Sequence, residues 1–351
     1  MKLTAIDLFS GAGGLSLGLK AAGFIAVAAV ERDPDAVATY RCAVGADEVI
    51  DGDASALNYT RFRGVDLVAG GPPCQPFSTG GLRRGRGDER DLLPTFVRAV
   101  LEAKPRAFLL ENVPGLATAA HAEYLHEVLA PLFAAYDVSG PHLVNAADFG
   151  VPQSRRRMIM IGFRDGSFRM PVGDPNRRVA AGTVLKTEPL GEPNTSKIVY
   201  AKTPDLRPSP YHGQLFNGGG RPIDLAQPAP TMLASAGGNK THWIDIGNLV
   251  PPYHMHLMKG GKPRIGELPH ARRLTVEECA LLQTFPAGMA FFGARSSRYT
   301  QVGNAVPVKL AAVLGAAIAE QLSAISGRKP RRAKEADVCV GALDVGLVAV
   351  K

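Results

Sequence analysis

The sequence predicts an α/β protein: a parallel sheet covered by helices on both faces, joined to a second, smaller domain of irregular or β-rich character. Three observations carry this. Over the first 165 residues, short apolar stretches bounded by Gly, Pro or charge alternate with amphipathic ones. Residues 165–270 lose that rhythm and fill with Gly, Pro, Asn and Thr. An apolar helical stretch then returns near residue 308.

Taken in order, Leu3–Asp7, Phe24–Val30, Asp66–Ala69, Ala107–Leu110 and Met158–Gly162 read as buried strands, each short and apolar. Between them Leu15–Ala22, Asp35–Cys42, Leu92–Ala103 and Ala122–Leu132 have helical spacing. Such alternation predicts parallel strands. Asn217–Gly220, Pro228–Pro230 and Gly260–Pro263 are turn chemistry. Thr275-Val276-Glu277-Glu278 has the form of a capping box ahead of Leu281 and Leu282. A helix over Val308–Leu322 can dock back onto the first sheet, which makes the second domain an insertion. The expected division is 1–184 with 300–326 for the first domain, 185–271 for the insertion, 272–299 for a hinge, and 327–351 for a basic, mobile tail.

The composition of the 351 residues, 46% hydrophobic and 21% charged, suits a globular chain and excludes disorder. The longest clean apolar runs, Leu310–Ala319 and Gly23–Val30, fall short of the ~20 residues that cross a bilayer. Asp7 interrupts any apolar leader, so the expected location is the cytoplasm. Four cysteines without a CxxC pair exclude a disulfide scaffold, and no metal site is expected. The net charge of +8 is uneven: residues 1–160 hold 16 Lys and Arg against 18 Asp and Glu, while residues 161–298 hold 17 against 10. A basic second part fits a polyanionic partner; a plain solvated surface is the alternative.

The chemistry-bearing residues gather at strand ends. Asp7-Leu8-Phe9-Ser10-Gly11-Ala12-Gly13-Gly14 follows the first strand, where glycines let a ligand approach the backbone. Glu31 ends the second strand and can accept from ribose hydroxyls; Asp53 can accept from an exocyclic amine. Together they favour a nucleoside cofactor over a merely tight turn, and the G-x-G-x-x-G dinucleotide pattern is not met. Cys74 sits in the Pro/Gly turn Gly70–Ser78 after a strand, which places it in the cleft rather than as a buried apolar filler. Arg83, Arg84, Arg86 and Arg90 follow, interleaved with glycines, as a phosphate-binding lid or an exposed loop. Glu111 ends another apolar strand, where a carboxyl can act as a proton donor. Alternation through Gln153-Ser154-Arg155-Arg156-Arg157 places Gln153, Arg155 and Arg157 on one face.

These blocks together resemble the bacterial DNA (cytosine-5) methyltransferases over nearly the whole chain. The matching stretches are DLFSGAGG at 7–14, GGPPCQPFS at 70–78, ENV at 111–113, QSRRR at 153–157, RRLTVEECALLQTFP at 272–286 and QVGNAVP at 301–307. The resemblance implies a Rossmann-like S-adenosylmethionine-dependent methyltransferase domain with an inserted target recognition domain, acting as a monomer on double-stranded DNA, alone or beside a separate restriction endonuclease. It implies Cys74 as nucleophile at cytosine C6, Glu111 at N3, Arg157 at the base oxygen and Arg155 in support. Phe9, Ser10, Gly11, Ala12, Gly13, Gly14, Glu31, Arg32, Asp53, Ala54, Pro73, Leu93 and Asn304 match the cofactor positions. Gln75, Ser78, Arg83, Arg84, Arg86, Gln153 and Thr231 are the expected DNA contacts, Thr231 lying in a stretch similar to the Thr-plus-apolar signature of the recognition domain. Arg32, Ala54 and Asp91 depart from the usual residue types. A tRNA cytosine methylase and a DNA-binding regulator without turnover are the competing readings. The length of the basic insertion favours DNA over tRNA, and the intact catalytic set favours an enzyme.

Overall fold

Apolar stretches that alternate with amphipathic ones can bury both faces only by forming a sheet between two helical layers, and the chain does so. The computed structural model describes residues 2–73, 91–217, 219–235, 237, 240–325 and 327. In chain order the elements are β1 (Leu3–Leu8), α1 (Gly14–Ala21), β2 (Phe24–Glu31), α2 (Pro34–Ala43), β3 (Glu48–Asp51), β4 (Leu67–Gly70), α3 (Leu93–Ala103), β5 (Ala107–Asn112), α4 (Ala122–Ala135), β6 (Asp137–Asn145) and β7 (Arg156–Phe163). The second part adds β8 (Tyr200–Asp205), β9 (Gln214–Phe216), β10 (Trp243–Asp245), α5 (Val250–Met258) and β11 (Ala271–Arg273); α6 (Val276–Leu282), α7 (Arg295–Asn304) and α8 (Val308–Ile325) close the chain.

The main sheet runs β3-β2-β1-β4-β5-β7-β6. The first five strands are parallel, but β7 is antiparallel to both β5 and β6. The all-parallel expectation is therefore corrected. Only residues 146–155 connect β6 to β7, fewer than the dozen or so a parallel crossover needs. The edge strands β3 and β6 escape notice in the sequence because they are mostly half-exposed or exposed and lack a clean apolar pattern.

Side chains alternate between the two faces of the sheet. Ile6, Val68 and Leu110 meet Phe96 and Val100 of α3 and Leu125 and Leu129 of α4. Ala5, Leu67 and Leu109 meet Leu15 and Leu19 of α1 and Leu310, Leu314 and Ile318 of α8. Helix α8 thus returns to the first sheet as expected. The stretch Arg295–Ile325, which holds α7 and α8, is long and apolar enough to span a bilayer by length and composition alone, yet the apolar stripe of α8 lies in this core.

A separate core fills the second part. Ile198, Tyr200, Leu215, Phe216, Trp243, Val250, Tyr253 and Leu268 pack together, with Phe216 edge-on to Trp243 at 5.0 Å between centroids. Helix α5 was hidden by its Pro251-Pro252 pair, which is compatible with the first helical turn. Its start is capped by Asp245, whose carboxylate accepts from Leu249 and Val250 N–H. Helix α7 was hidden by its polar composition. The segment expected as a hinge holds α6, where Thr275 and Glu278 form the reciprocal capping box.

A buried polar chain fixes the turn that leaves β1. Tyr40 Oη donates to Ser16 Oγ at 2.7 Å, and Ser16 Oγ donates to Asp7 Oδ2 at 2.6 Å. Burial pushes the Asp7 carboxyl up to about 7, against the lowering effect of the Ser16 bonds and with a small addition from Glu31. The folded chain therefore holds this proton more tightly than the unfolded one. The stability so contributed is full below the ordinary carboxylate range and is lost as pH rises through about 7. Asp7→Asn should gain thermal midpoint relative to wild type between pH 5 and pH 8; a pH-independent difference would rule this out. A second expectation concerns the α1–α8 contact. A Cβ on Gly18 would lie 2.5 Å from Val308 O and 2.6 Å from Ala312 N. Gly18→Ala should cost about 1–3 kcal/mol by thermal melting, and an unchanged midpoint would show that the helices can part freely.

Candidate active site

The parallel register brings the ends of β1, β2, β4 and β5 to one edge, since Leu8 pairs with Val30 and Gly70, and Gly70 with Leu110. Because β7 is antiparallel, its first residues lie at that same edge, with Met158 opposite Asn112. A parallel β7 would have carried its arginines to the far side. The antiparallel strand is what unites Glu111 with Arg157.

Phe9 takes a left-handed backbone at φ 58°, a strained state for an aromatic residue and one that gathers at functional turns. Gly11 follows at φ 53°, and a Cβ there would meet nothing within 4 Å, so the space beside it is open. Its neighbours differ. Ala12 is in the core, a Cβ on Gly13 would strike Val44 at 2.4 Å, and one on Gly14 would strike Val306 O at 2.3 Å. These three positions serve packing through their small size. Ser10 Oγ is buried with no partner among the described residues.

Glu31 is held ready by backbone donors: Gly11 N–H at 2.8 Å on Oε2, and Arg32 and Asp33 N–H at 2.9 Å on Oε1. Asp53 is exposed, and Ser55 N–H at 2.8 Å holds its carboxyl below the usual range. Arg32 is exposed beside it, whereas Ala54 and Leu93 have their side chains in the core. Asn304, at the end of α7, is exposed. An open glycine, a fixed carboxylate acceptor and a second ionised carboxylate fit the ribose and amine of a nucleoside.

Glu111 is buried at the end of β5, its Oε1 2.8 Å from Arg157 Nε. A Cβ on Gly71, three residues before Cys74, would lie 2.8 Å from Glu111 Oε2, so this backbone runs directly past the carboxylate. Asn112 Nδ2 donates to Pro72 O at 3.0 Å and Leu92 N–H to Pro73 O at 3.2 Å, fixing both stems of the segment between them. Asp91 adds a tie that its sequence position did not reveal: it accepts from Leu93 N–H and from Tyr124 Oη. Cys74, Gln75, Ser78, Arg83, Arg84 and Arg86, and with them the expected lid, lie outside the described residues, as does the tail from residue 328.

The expected alternation is present: Gln153 and Arg155 are buried, Ser154 and Arg156 exposed, and Arg157 turns inward. Burial lowers the affinity of Arg157 for its proton, and the Glu111 carboxylate opposes this. Arg155 is fully buried. Its guanidinium donates to Met232 O at 3.1 Å and to Gly303 and Ala305 O at 2.9 Å. It supports the site through the framework. Gln153, expected among the DNA contacts, is fully buried in this structure, donating to Leu282 O and accepting from Met232 N–H. The Thr231 hydroxyl is likewise engaged, donating to Ser154 O at 2.7 Å. Both side chains thus tie the start of β7 to the Thr231–Met232 segment.

The comparisons with known proteins agree with this geometry. The sequence model of the C-5 cytosine-specific DNA methylases matches residues 3–204 and 224–320. The Type II methyltransferase M.XorII of Xanthomonas oryzae pv. oryzae is 32% identical, over 94% of this chain and 87% of its own length. M.NgoMIV of Neisseria gonorrhoeae is 32% identical over 92% of this chain and 99% of its own. The S. pombe Dnmt2 methyltransferase shares the fold, with a TM-score of 0.65 at 18% identity, over 92% of this chain and 99% of that one. With a family model matched over most of its length and relatives 32% identical over more than nine-tenths of it, the chain belongs to the C-5 cytosine-specific DNA methylases.

Proposed function

We propose that this cytosine-C5 methyltransferase uses S-adenosylmethionine and acts on a cytosine flipped out of a specific sequence in duplex DNA, with Cys74 as nucleophile. The observation that carries the proposal is the buried Glu111–Arg157 pair, 2.8 Å apart, beside the backbone that leads to Cys74. Phe9, Ser10, Gly11, Glu31, Arg32, Asp53 and Asn304 would hold the cofactor, with Ala12–Gly14, Ala54, Pro73 and Leu93 shaping the walls; when bound it supplies an electrophilic methyl group.

Cytosine C5 is a poor nucleophile because the aromatic ring holds its electrons. The Cys74 thiolate forms a bond to C6 and the C5–C6 π pair shifts, leaving C5 enamine-like. Negative charge then grows on the ring. Glu111 meets it at N3 as hydrogen-bond or proton donor, and the Arg157 guanidinium meets it at the base oxygen. C5 is then able to accept a methyl group; loss of its proton and elimination of the thiolate restore the aromatic ring. The base must leave the stack for this, at a cost of about a few kcal/mol. The basic second domain, read as the target recognition domain, offsets that cost through phosphate and base contacts. The relatives named Type II methyltransferases support a role in restriction–modification, with any cognate endonuclease a separate chain and bacterial cytoplasmic DNA the substrate.

Conversion-based sequencing of DNA from a host expressing the chain should show protected cytosines within one short recurrent motif. Folded protein without protected DNA would favour tRNA instead. Cys74→Ser should abolish protection, and Glu111→Gln should slow turnover about 100-fold or more; an active Cys74→Ser protein would overturn the adduct. The two arginines should part company. Arg157→Ala should lose about 100-fold in turnover with a smaller loss of thermal midpoint than Arg155→Ala, since it leaves one carboxylate, able to take up a proton, without its partner. Arg155→Ala should lose activity together with about 3 kcal/mol of stability, because it strands several buried carbonyls; equal thermal effects would contradict the distinction.

A further inference from the structure

The two-residue segment Thr231–Met232 is held from nearly every polar atom. Thr231 Oγ1 donates to Ser154 O at 2.7 Å, Met232 N–H donates to Gln153 Oε1 at 3.0 Å, and Met232 O accepts from Arg155 Nη1 at 3.1 Å. These three ties all lead to residues 153–155, which run straight into β7 and Arg157. The fourth has another origin. Thr231 O faces His242 Nε2 at 3.2 Å, and His242 adjoins the core around Trp243.

His242 immediately precedes Trp243, the fully buried centre of the second core and the first residue of β10. On its other side Nδ1 lies 3.0 Å from Arg221 N–H. A backbone N–H can only donate, so Nδ1 accepts and the ring proton resides on Nε2, which donates to Thr231 O. Burial, with lesser contributions from the Arg221 and Arg273 charges, lowers the affinity of the ring for a second proton despite both backbone bonds. The ring is a neutral bridge with one defined direction.

We infer that His242 is a positioning residue for methylation, transmitting the placement of the core around Trp243 to the recognition domain's own Thr231–Met232 segment, which Gln153 and Arg155 tie to the catalytic strand. Sequence readout and chemistry must occur in one geometry, and this ring is the link on the recognition side. The inference rests on the DNA-methylation reading above, and wild-type protection of host DNA tests that reading by itself.

Two substitutions separate the arms of the ring. His242→Asn retains an acceptor in place of Nδ1, while His242→Gln retains a donor in place of Nε2. Each is assayed on a plasmid bearing the motif identified by sequencing, alongside thermal midpoint and calorimetric affinity for S-adenosylhomocysteine. His242→Asn should lose about tenfold in kcat/KM for DNA with the affinity for S-adenosylhomocysteine unchanged. His242→Gln should stay within about twofold of wild type, rescuing the Thr231 arm. Loss in both, in neither, or in the Gln variant alone overturns the proposal, as does a loss that tracks thermal midpoint.

Discussion

A single buried cation organises the cleft. The Arg155 guanidinium has no carboxylate paired with it among the described residues; its acceptors are main-chain carbonyls at the end of α7 and in the Thr231–Met232 segment. The end of a helix is where carbonyls lack internal partners and where the helix dipole favours positive charge. Desolvation of the cation is thus offset by groups that themselves need a donor. The consequence is mutual dependence: the strand carrying Arg157, the helix ending in Asn304 and the Thr231–Met232 segment are tied to one side chain. Strand β7, helix α7 and the Thr231–Met232 segment share one fixed point.

Much of this was legible in the sequence because burial leaves a mark on composition. Strands β1, β2, β4 and β5 are buried on both faces and so read as apolar runs. The capping box of Thr275 and Glu278 is local chemistry and appears where its spacing puts it. Glu31, Glu111 and Arg157 were findable because polar residues stand at the ends of apolar strands. What escaped was long-range. Nothing in residues 156–163 announces an antiparallel strand, since direction is set by the short connection before it and by pairing with β5. Gln153 and Thr231 carry groups that suit bases equally well as backbone, and only their partners decide between these uses.

The glycine-rich turn shows how one motif divides its labour. Gly13, Gly14 and Gly18 are small because α2 and α8 and their flanking loops press against them, whereas Gly11 faces open space. The same stretch therefore builds the core with most of its glycines and leaves room for a ligand with one. Glu31 completes the arrangement. Its carboxylate is oriented by three backbone N–H groups before any ligand arrives, so little side-chain freedom is left to lose on binding.

The docking of α8 on α1 has a consequence for synthesis. Leu310, Leu314 and Ile318 fill a core whose other half, Leu15 and Leu19, is translated some three hundred residues earlier. That sheet face stays uncovered while the second part of the chain is being made, and it closes only when the ribosome has passed α8. A prematurely terminated chain would expose this apolar face to chaperones and proteases instead of circulating as a half-enzyme that grips DNA without modifying it. The fold thus makes completion of the polypeptide a condition for a finished catalytic layer.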